Sequence, residues 1–296
     1  MTRTPLRGAG TALVTPFSAD GELDEQALRS FVDWQLAQRI HFVVPCGSTG
    51  EAVTLSPEEH RRVIEITVEQ VGGRVPVVAG AGSNDTRRAI ELSRSAKQAG
   101  ATHLLHVSPM YNKPPQRGIA AHFRAIADAV DLPIVIYNVP ARTATNIEPA
   151  TTLELAADER FVAVKEASGN LAQIGDIIRN APPTFAVLSG DDALTVAVMA
   201  LGGDGVISVT SNATPRSVAE LVERCDRGDM SAARRIDERL AAWTIAAFVE
   251  SNPIPVKAAL AMMGRMQNSL RLPLVPMLER HAGQLRDALL AAGALT

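Results

Sequence analysis

The strongest constraint on the fold is a set of eight short apolar segments, each followed by turn-forming residues. Amphipathic stretches of helical length separate them, and the repeat of roughly 30 residues is the length of a β-α-β unit. Eight such units predict an α/β fold, a closed (β/α)8 TIM barrel. The segments are residues 11–14, 42–44, 75–79, 103–107, 134–137, 161–165, 185–188 and 205–209.

The stretches between these segments carry signals for helix starts and ends. Ser56, Pro57 and Glu59 supply an N-cap, a proline at the first helical position and a glutamate three residues after the cap. Gly100 and Gly202 are predicted to end helices before the next strand. Strand and helix signals therefore alternate consistently.

The C-terminal part of the chain lacks further strand signals. Helices are predicted over residues 232–248, 254–263 and 276–292, with breaks at Asn252-Pro253 and Leu272-Pro273. We expect a barrel domain over residues 1–228 and a C-terminal helical appendage over residues 229–296.

Composition favours a protein that acts on small molecules. The chain has 296 residues, 46% of them hydrophobic, so it is long enough to bury one large core. Its formal net charge is −3 and its Lys and Arg residues are dispersed, which gives no electrostatic footprint for nucleic acid or an anionic membrane. The N-terminus lacks the apolar core of a signal peptide, and no apolar run reaches the ~18 residues of a spanning helix, so we expect a cytoplasmic protein.

Lys165 is an unusual residue because it closes the apolar run 161–165. Active sites of barrels lie at the carboxyl ends of the strands, where a poorly hydrated lysine is biased toward the neutral amine that attacks carbonyl groups. Tyr137 closes the preceding strand, ~4.8 Å away in a parallel sheet, so its phenol can face the amine and move protons. The alternatives are a lysine that reaches solvent or pairs with Glu166, and an ordinary core tyrosine.

Two loops on the same rim carry groups suited to a carboxylate. The loop at residues 47–51, Gly-Ser-Thr-Gly-Glu, offers hydroxyl groups, amides and two glycines that permit close approach. It lacks the spacing of a P-loop, so a small carboxylate is favoured over a nucleotide. Arg142 follows the fifth strand, and its planar guanidinium suits the same group; the alternative is a surface ion pair with Glu148.

Metal and redox chemistry receive little support from the sequence. The histidines form no H-E-x-x-H pair, and His103 and His106, three residues apart on a strand, point to opposite faces. Cys46 and Cys225 have no CxxC spacing, so we expect reduced thiols and no metal site. Tyr111 lies at the tip of a proline-rich loop, a position typical of subunit contacts; an ordinary loop tyrosine is the alternative.

In the order of its motifs the chain resembles the dihydrodipicolinate synthase and N-acetylneuraminate lyase family of Schiff-base-forming enzymes. The resemblance covers nearly the whole chain, from about residue 10 to residue 274. Arg142 and the loop that carries Tyr111 are most similar to the synthase branch. The matching motifs are Gly47 to Glu51, Tyr137-Asn138-Val139-Pro140, Lys165-Glu166-Ala167-Ser168-Gly169 and Ser189-Gly190-Asp191-Asp192.

The resemblance implies roles that the residues alone do not establish. Lys165 is expected to form a Schiff base with pyruvate without any cofactor, and the enamine to attack L-aspartate 4-semialdehyde, giving 4-hydroxy-tetrahydrodipicolinate. Tyr137, Ser48 and a neighbouring subunit's copy of Tyr111 are expected to form a proton relay, with Ser48 standing where threonine is usual. The remaining implied roles are pyruvate binding by Thr49, Gly190 and Ile207, and carboxylate binding by Arg142.

The resemblance also bears on assembly and regulation. A tyrosine that reaches a neighbouring site implies a homo-oligomer, either a dimer or a tetramer of dimers. Lysine-inhibited members carry a histidine, a glutamate and a tyrosine at positions that align here with Pro57, Arg88 and Met110. A cation at position 88 repels the ammonium of lysine, so weak or absent lysine feedback is expected.

Two other functions stay open from the sequence. One is a related pyruvate-dependent aldolase or dehydratase that acts on a 2-keto-3-deoxy sugar acid or another 2-oxo acid with the same Lys165 and Tyr137. The other is a catalytically silent barrel that senses a small molecule. The complete set of lysine, tyrosine and hydroxyl groups argues against the silent barrel.

Overall fold

The computed structural model describes residues 6–295, and within them eight parallel strands form a barrel. Strands that follow one another in the chain pair side by side, and β1 pairs with both β2 and β8. A parallel bridge between Val43 and Val77 closes the sheet, so the predicted (β/α)8 barrel is confirmed. The strands are β1 (Gly8–Ala12), β2 (Phe42–Val44), β3 (Val78–Gly80), β4 (His103–Val107), β5 (Ile134–Asn138), β6 (Phe161–Glu166), β7 (Ala186–Ser189) and β8 (Gly205–Ser208).

The first strand lies earlier than the prediction of residues 11–14, because its glycines belong to it. A Cβ on Gly10 would lie 2.0 Å from the ring of Phe42, and one on Gly205 in β8 would lie 2.0 Å from the carbonyl oxygen of Gly8. Glycine is therefore required where these strands meet closely. Because glycine has a low strand propensity, the sequence does not indicate the true start of β1. The third strand is also shorter than predicted and begins at Val78.

Helices cover the outside of the barrel and start where the capping signals predict. The side chain of Ser56 accepts a hydrogen bond from the Glu59 amide and the Glu59 carboxylate accepts one from the Ser56 amide, which is a complete capping box. The helices of the barrel are α1 (Glu25–Ala37), α2 (Pro57–Val71), α3 (Thr86–Gln98), α4 (Gln116–Ala129), α5 (Pro140–Thr143), α6 (Pro149–Ala156), α7 (Leu171–Asn180), α8 (Thr195–Ala200) and α9 (Pro215–Asp226).

Three helices follow the barrel: α10 (Met230–Ala246), α11 (Ile254–Met262) and α12 (Ala282–Ala291). The third starts later than the predicted residue 276, because a short 3-10 turn, Glu279–His281, precedes it. Trp243 in α10 is fully buried, and its indole N–H donates to the carbonyl of Thr210 behind β8 (3.0 Å). The division at residue 229 stays a prediction, and one apolar core runs continuously from the barrel helices to Trp243 and Leu285.

A second, smaller apolar cluster fills the inside of the barrel. Its members alternate along the strands with residues that face the helices, as the strand period requires. Tyr137, Leu188 and Ile207 belong to it, so this cluster forms the floor below the carboxyl-end rim. None of the helices formed by residues 6–295 has the length and apolar character needed to cross a membrane.

Candidate active site

Lys165 and Tyr137 face each other inside the barrel. They are partners in the parallel register of β5 and β6, and Lys165 Nζ lies 4.3 Å from the centroid of the Tyr137 ring. Only 5% of Lys165 and 7% of Tyr137 is exposed. The predicted pairing of an amine and a phenol at the rim is therefore present in the structure.

Lys165 is not engaged by a carboxylate. Across residues 6–295 no Asp or Glu forms an ion pair with it, and its neighbour Glu166 points elsewhere. The Glu166 carboxylate accepts hydrogen bonds from the Asn138 side chain (3.1 Å), the Gln173 side chain (3.2 Å) and the Ser168 amide (2.7 Å). The alternative of a Lys165–Glu166 ion pair is thus wrong, and the amine is left available.

Gly190 lies directly against the Lys165 side chain. Its amide donates to the carbonyl of Glu166 (2.7 Å), which fixes the turn after β7 beside β6. A Cβ at this position would lie 2.7 Å from the Cβ of Ala167 and 3.1 Å from Cγ of Lys165. Glycine is required here by close packing around the lysine, and Ile207 is fully buried in the same interior cluster as Tyr137.

The loop after β2 separates its two hydroxyl groups. Thr49 is buried, and its Oγ1 accepts a hydrogen bond from the side-chain amide of Asn252 (2.9 Å). Ser48 is exposed, and its hydroxyl forms no hydrogen bond with Tyr137 in the described chain. The loop itself is held by the hydroxyl of Thr15, which donates to the carbonyl of Gly50 (2.7 Å).

A buried ion pair anchors the end of this loop. Glu51 has a left-handed backbone conformation (φ 51°), and its carboxylate pairs with the ammonium of Lys257 in α11, both side chains being fully buried. Burial lowers the pKa of Lys257 to about 8, against the opposing effect of the Glu51 charge. Lys257 Nζ also donates to the carbonyl of Ser269 (2.8 Å) and lies 4.2 Å from the centroid of the Phe17 ring.

Arg142 and Tyr111 lie at the exposed edge of the site. Arg142, in α5, forms no ion pair with Glu148 in the described chain, and its guanidinium donates to the backbone carbonyl of Asn252 (3.5 Å). Tyr111 is 88% exposed, has a positive φ of 72°, and donates its amide to the carbonyl of Thr143 (3.4 Å). Within residues 6–295 its ring makes no hydrogen bond or ring contact with a residue of the site.

Sequence reasoning missed the residues that hold the site together. Asn252 and Lys257 join the appendage to the loop at residues 47–51. The sequence indicates a helix break at Asn252, and the segment from Asn252 to Lys257 fits the family resemblance, but neither signal predicts these contacts. Asp192 is also structural: its carboxylate accepts hydrogen bonds from the hydroxyls of Ser208 and Thr210 and from two backbone amides after β8. Burial raises the pKa of its neighbour Asp191.

Cys46 and Cys225 are free and buried, and burial raises the pKa of both thiols. His106 points away from the barrel interior, and its Nε2 lies 3.1 Å from the hydroxyl of Ser93 in α3. Residues 6–295 contain no cluster of three His, Cys, Asp or Glu side chains arranged to hold a metal ion.

Comparison with known proteins places this arrangement in one family. The model of the dihydrodipicolinate synthetase family matches residues 5–292. The chain belongs to that family.

Curated members of the family match the chain over almost its full length. A protein of Nitratidesulfovibrio vulgaris (strain DSM 19637 / Miyazaki F), named 4-hydroxy-tetrahydrodipicolinate synthase, is 52% identical over 97% of this chain and 98% of its own. A protein of Koribacter versatilis with the same name is 51% identical over 98% of this chain and 97% of its own.

Solved structures of the family share the fold. The chloride-inhibited dihydrodipicolinate synthase of Acinetobacter baumannii, solved in complex with pyruvate, superposes with a TM-score of 0.96 at 41% identity, covering 98% of this chain and 99% of its own. The family and the barrel predicted from the sequence are therefore both confirmed.

Proposed function

We propose that this protein is a 4-hydroxy-tetrahydrodipicolinate synthase, which condenses pyruvate with L-aspartate 4-semialdehyde. The observation that carries the proposal is the Lys165 amine, buried at the rim beside Tyr137 and free of any carboxylate partner within residues 6–295. Relatives about half identical over the full length bear this enzyme's name, which confirms the prediction of a lyase and argues against a silent sensor.

The first half of the reaction prepares a carbon nucleophile. Lys165 Nζ attacks the C2 carbonyl carbon of pyruvate, and the carbinolamine loses its oxygen as water to leave an iminium ion. Loss of a proton from C3 then gives the enamine. Tyr137, next to the amine, is placed to donate the proton with which the carbinolamine oxygen leaves as water. The resulting phenolate can then accept the proton that is lost from C3.

The second half forms the ring and frees the enzyme. C3 of the enamine attacks the aldehyde carbon of the semialdehyde, and the aldehyde oxygen takes up a proton to become the hydroxyl. The amino group of the semialdehyde then attacks C2 of the iminium and displaces the Lys165 amine. One water leaves overall, no electrons are exchanged, and the covalent Schiff base requires no separate cofactor.

The remaining rim residues are assigned to binding the substrates and to relaying protons. Thr49, Gly190 and Ile207 line the pocket for pyruvate, with the Thr49 hydroxyl and amide directed to its carboxylate. Arg142, whose guanidinium lacks a carboxylate partner in the described chain, is suited to the carboxylate of the second substrate. Ser48 is proposed as the hydroxyl that passes protons between Tyr137 and a tyrosine of another subunit, a role that requires its exposed side chain to turn toward Tyr137.

We also propose a homo-oligomer, either a dimer or a tetramer of dimers, and the position of Tyr111 supports this proposal. An 88% exposed tyrosine on a loop held by hydrogen bonds from Asn84 and to Asn84 is suited to enter the site of a neighbouring copy. Sedimentation should detect at least a dimer, and a Tyr111→Phe enzyme as active as the original protein would contradict the relay. The cytoplasmic location stays a prediction.

The experiment that tests the proposal is a comparison of second substrates. Pyruvate is incubated with the enzyme and either L-aspartate 4-semialdehyde or a set of sugar aldehydes, and consumption of pyruvate is followed. We expect rapid consumption only with the semialdehyde. Faster consumption with a sugar aldehyde would overturn the proposal in favour of the related aldolase, which uses the same Lys165 and Tyr137.

A further inference from the structure

We propose that Asn252 is a positioning residue, which orients the Thr49 hydroxyl so that its hydrogen is directed to the carboxylate of pyruvate. This role rests on the proposed function, because it takes Thr49 as the group that binds that carboxylate. Asn252 belongs to the C-terminal appendage, outside the barrel that supplies the residues proposed to react with and bind pyruvate.

The hydrogen bond between the two side chains is buried and joins residues that are far apart in the sequence. Asn252 Nδ2 lies 2.9 Å from Thr49 Oγ1, across 203 residues of chain. Only 6% of Asn252 and 3% of Thr49 is exposed, so water does not compete strongly for either group.

The direction of this hydrogen bond decides what the hydroxyl can do. A threonine hydroxyl carries one hydrogen and two lone pairs. Since Oγ1 accepts from the Asn252 amide, its own hydrogen is not used between these two residues and is free to donate to an anion. A hydrogen bond to a carboxylate oxygen is of the stronger, charge-assisted kind.

The same residue contacts the second carboxylate-binding group. The backbone carbonyl of Asn252 accepts from the Arg142 guanidinium (3.5 Å), while its side chain holds Thr49. The side-chain oxygen Oδ1 is buried and has no hydrogen-bond partner within residues 6–295. Buried acceptors are normally paired, so Oδ1 is a position at which a molecule in the filled site can donate.

The ion pair described above fixes the distance between Asn252 and the loop. Glu51 follows Thr49 by two residues, and Lys257 follows Asn252 by five, so the pair ties the same two segments together a second time. Two buried connections between a loop and a helix start leave little freedom for the Thr49 hydroxyl.

The test is a double-mutant cycle on pyruvate binding. The pyruvate concentration that half-saturates borohydride trapping, and KM for each substrate, are measured for Asn252→Ala, Thr49→Val and the double variant. We expect Asn252→Ala to raise the pyruvate value about 10- to 100-fold while KM for the semialdehyde changes less than about twofold. The double variant is expected to be no worse than Thr49→Val alone, because Asn252 acts through that hydroxyl.

Two further variants separate positioning from folding. Asn252→Asp has the same shape but places an acceptor where the donor was, so it should also lose pyruvate affinity. A native circular dichroism spectrum at the assay temperature would show that this loss does not come from unfolding. Ser269→Ala removes another hydrogen bond between appendage and barrel, from Ser269 Oγ to the carbonyl of Ser18 (2.7 Å), and should leave both KM values unchanged.

Additive effects of the Thr49 and Asn252 substitutions would overturn the inference, as would an Asn252→Asp enzyme with unchanged pyruvate affinity. Equal increases of both KM values would also overturn it, since they indicate a general structural role. These outcomes leave the proposed function intact provided that the original protein is trapped by pyruvate. Failure of the original protein to be trapped would instead remove the proposed function itself.

Discussion

Glu51 and Lys257 form a fully buried ion pair between the loop after β2 and helix α11. Removing one partner of such a pair leaves an uncompensated charge in the interior. We therefore expect Lys257→Met to lower the free energy of unfolding by about 3–5 kcal/mol, measured by urea denaturation.

Two controls accompany this prediction. The double variant Lys257→Met/Glu51→Gln should recover a large part of the loss, because no unpaired charge remains. Arg124→Met, which breaks an exposed ion pair with Glu154 (2.6 Å), should cost less than about 1 kcal/mol. Equal losses for Lys257→Met and Arg124→Met would show that the buried pair has no special part in stability.

The packing of Gly190 against Lys165 predicts sensitivity to a single methyl group. Gly190→Ala places a Cβ 3.1 Å from Lys165 Cγ and 2.7 Å from Ala167 Cβ, so the lysine side chain has to shift. We expect kcat/KM to fall about 100-fold, the typical effect of a reacting group displaced by an ångström. Gly283→Ala in α12, where a Cβ meets nothing within 4 Å, is the matched control and should leave kcat/KM unchanged. Full activity of Gly190→Ala would contradict the close approach.

Two buried histidines predict a loss of stability in mild acid. Burial lowers the pKa of His106 to about 3, aided by nearby His122, and lowers that of His122 to about 4. Both rings stay neutral in the folded protein at pH 5, whereas the unfolded chain protonates them near the ordinary value of ~6.5. The unfolded state thus binds more protons, and the free energy of unfolding falls by about 2 kcal/mol per histidine between pH 7 and pH 5.

The free energy of unfolding, measured by urea denaturation at several values from pH 7 to pH 5, checks this dependence through its slope against pH. His106→Gln should reduce its slope by about one proton, while Ser93→Ala, which keeps the imidazole but removes its hydroxyl partner (3.1 Å), should preserve it. An unchanged slope in His106→Gln would show that this ring does not cause the acid sensitivity.

Regulation by lysine should be weak. Arg88 carries a positive charge close to the buried His60, whose pKa is lowered by burial and further by that charge. His60 already uses Nε2 in a hydrogen bond with the carbonyl of Gly80 (2.8 Å). We expect no inhibition of the purified enzyme by sub-millimolar L-lysine, and a lower half-inhibitory concentration after Arg88→Glu. Sub-millimolar inhibition of the original protein would refute this.

The fold and the pairing of Tyr137 with Lys165 could be predicted from the sequence because both depend on local patterns. Apolar segments at β-α-β spacing define the barrel, and parallel strands of a barrel end at one rim, which brings Tyr137 and Lys165 together. The bounds of β1 were wrong because Gly8 and Gly10 have low strand propensity. Gly8 is required by its positive φ of 94°, and Gly10 by the close approach of the Phe42 ring.

The supporting contacts could not be predicted in the same way. The Asn252–Thr49 hydrogen bond and the Lys257–Glu51 ion pair join residues 203 and 206 positions apart. Such contacts depend on how the appendage docks against the barrel, and no periodic pattern encodes that geometry. Ser48 shows the same difficulty: its place in a motif does not bring its hydroxyl into contact with Tyr137.

Covalent trapping tests the central claim, that the Lys165 amine forms the Schiff base, most directly. The protein is reduced with borohydride in the presence of pyruvate, digested, and mapped by mass spectrometry across its four lysines, Lys97, Lys113, Lys165 and Lys257. We predict a pyruvate-dependent adduct on Lys165 alone, with Lys257 protected by its buried ion pair. No adduct, or one on another lysine at similar yield, would contradict this account.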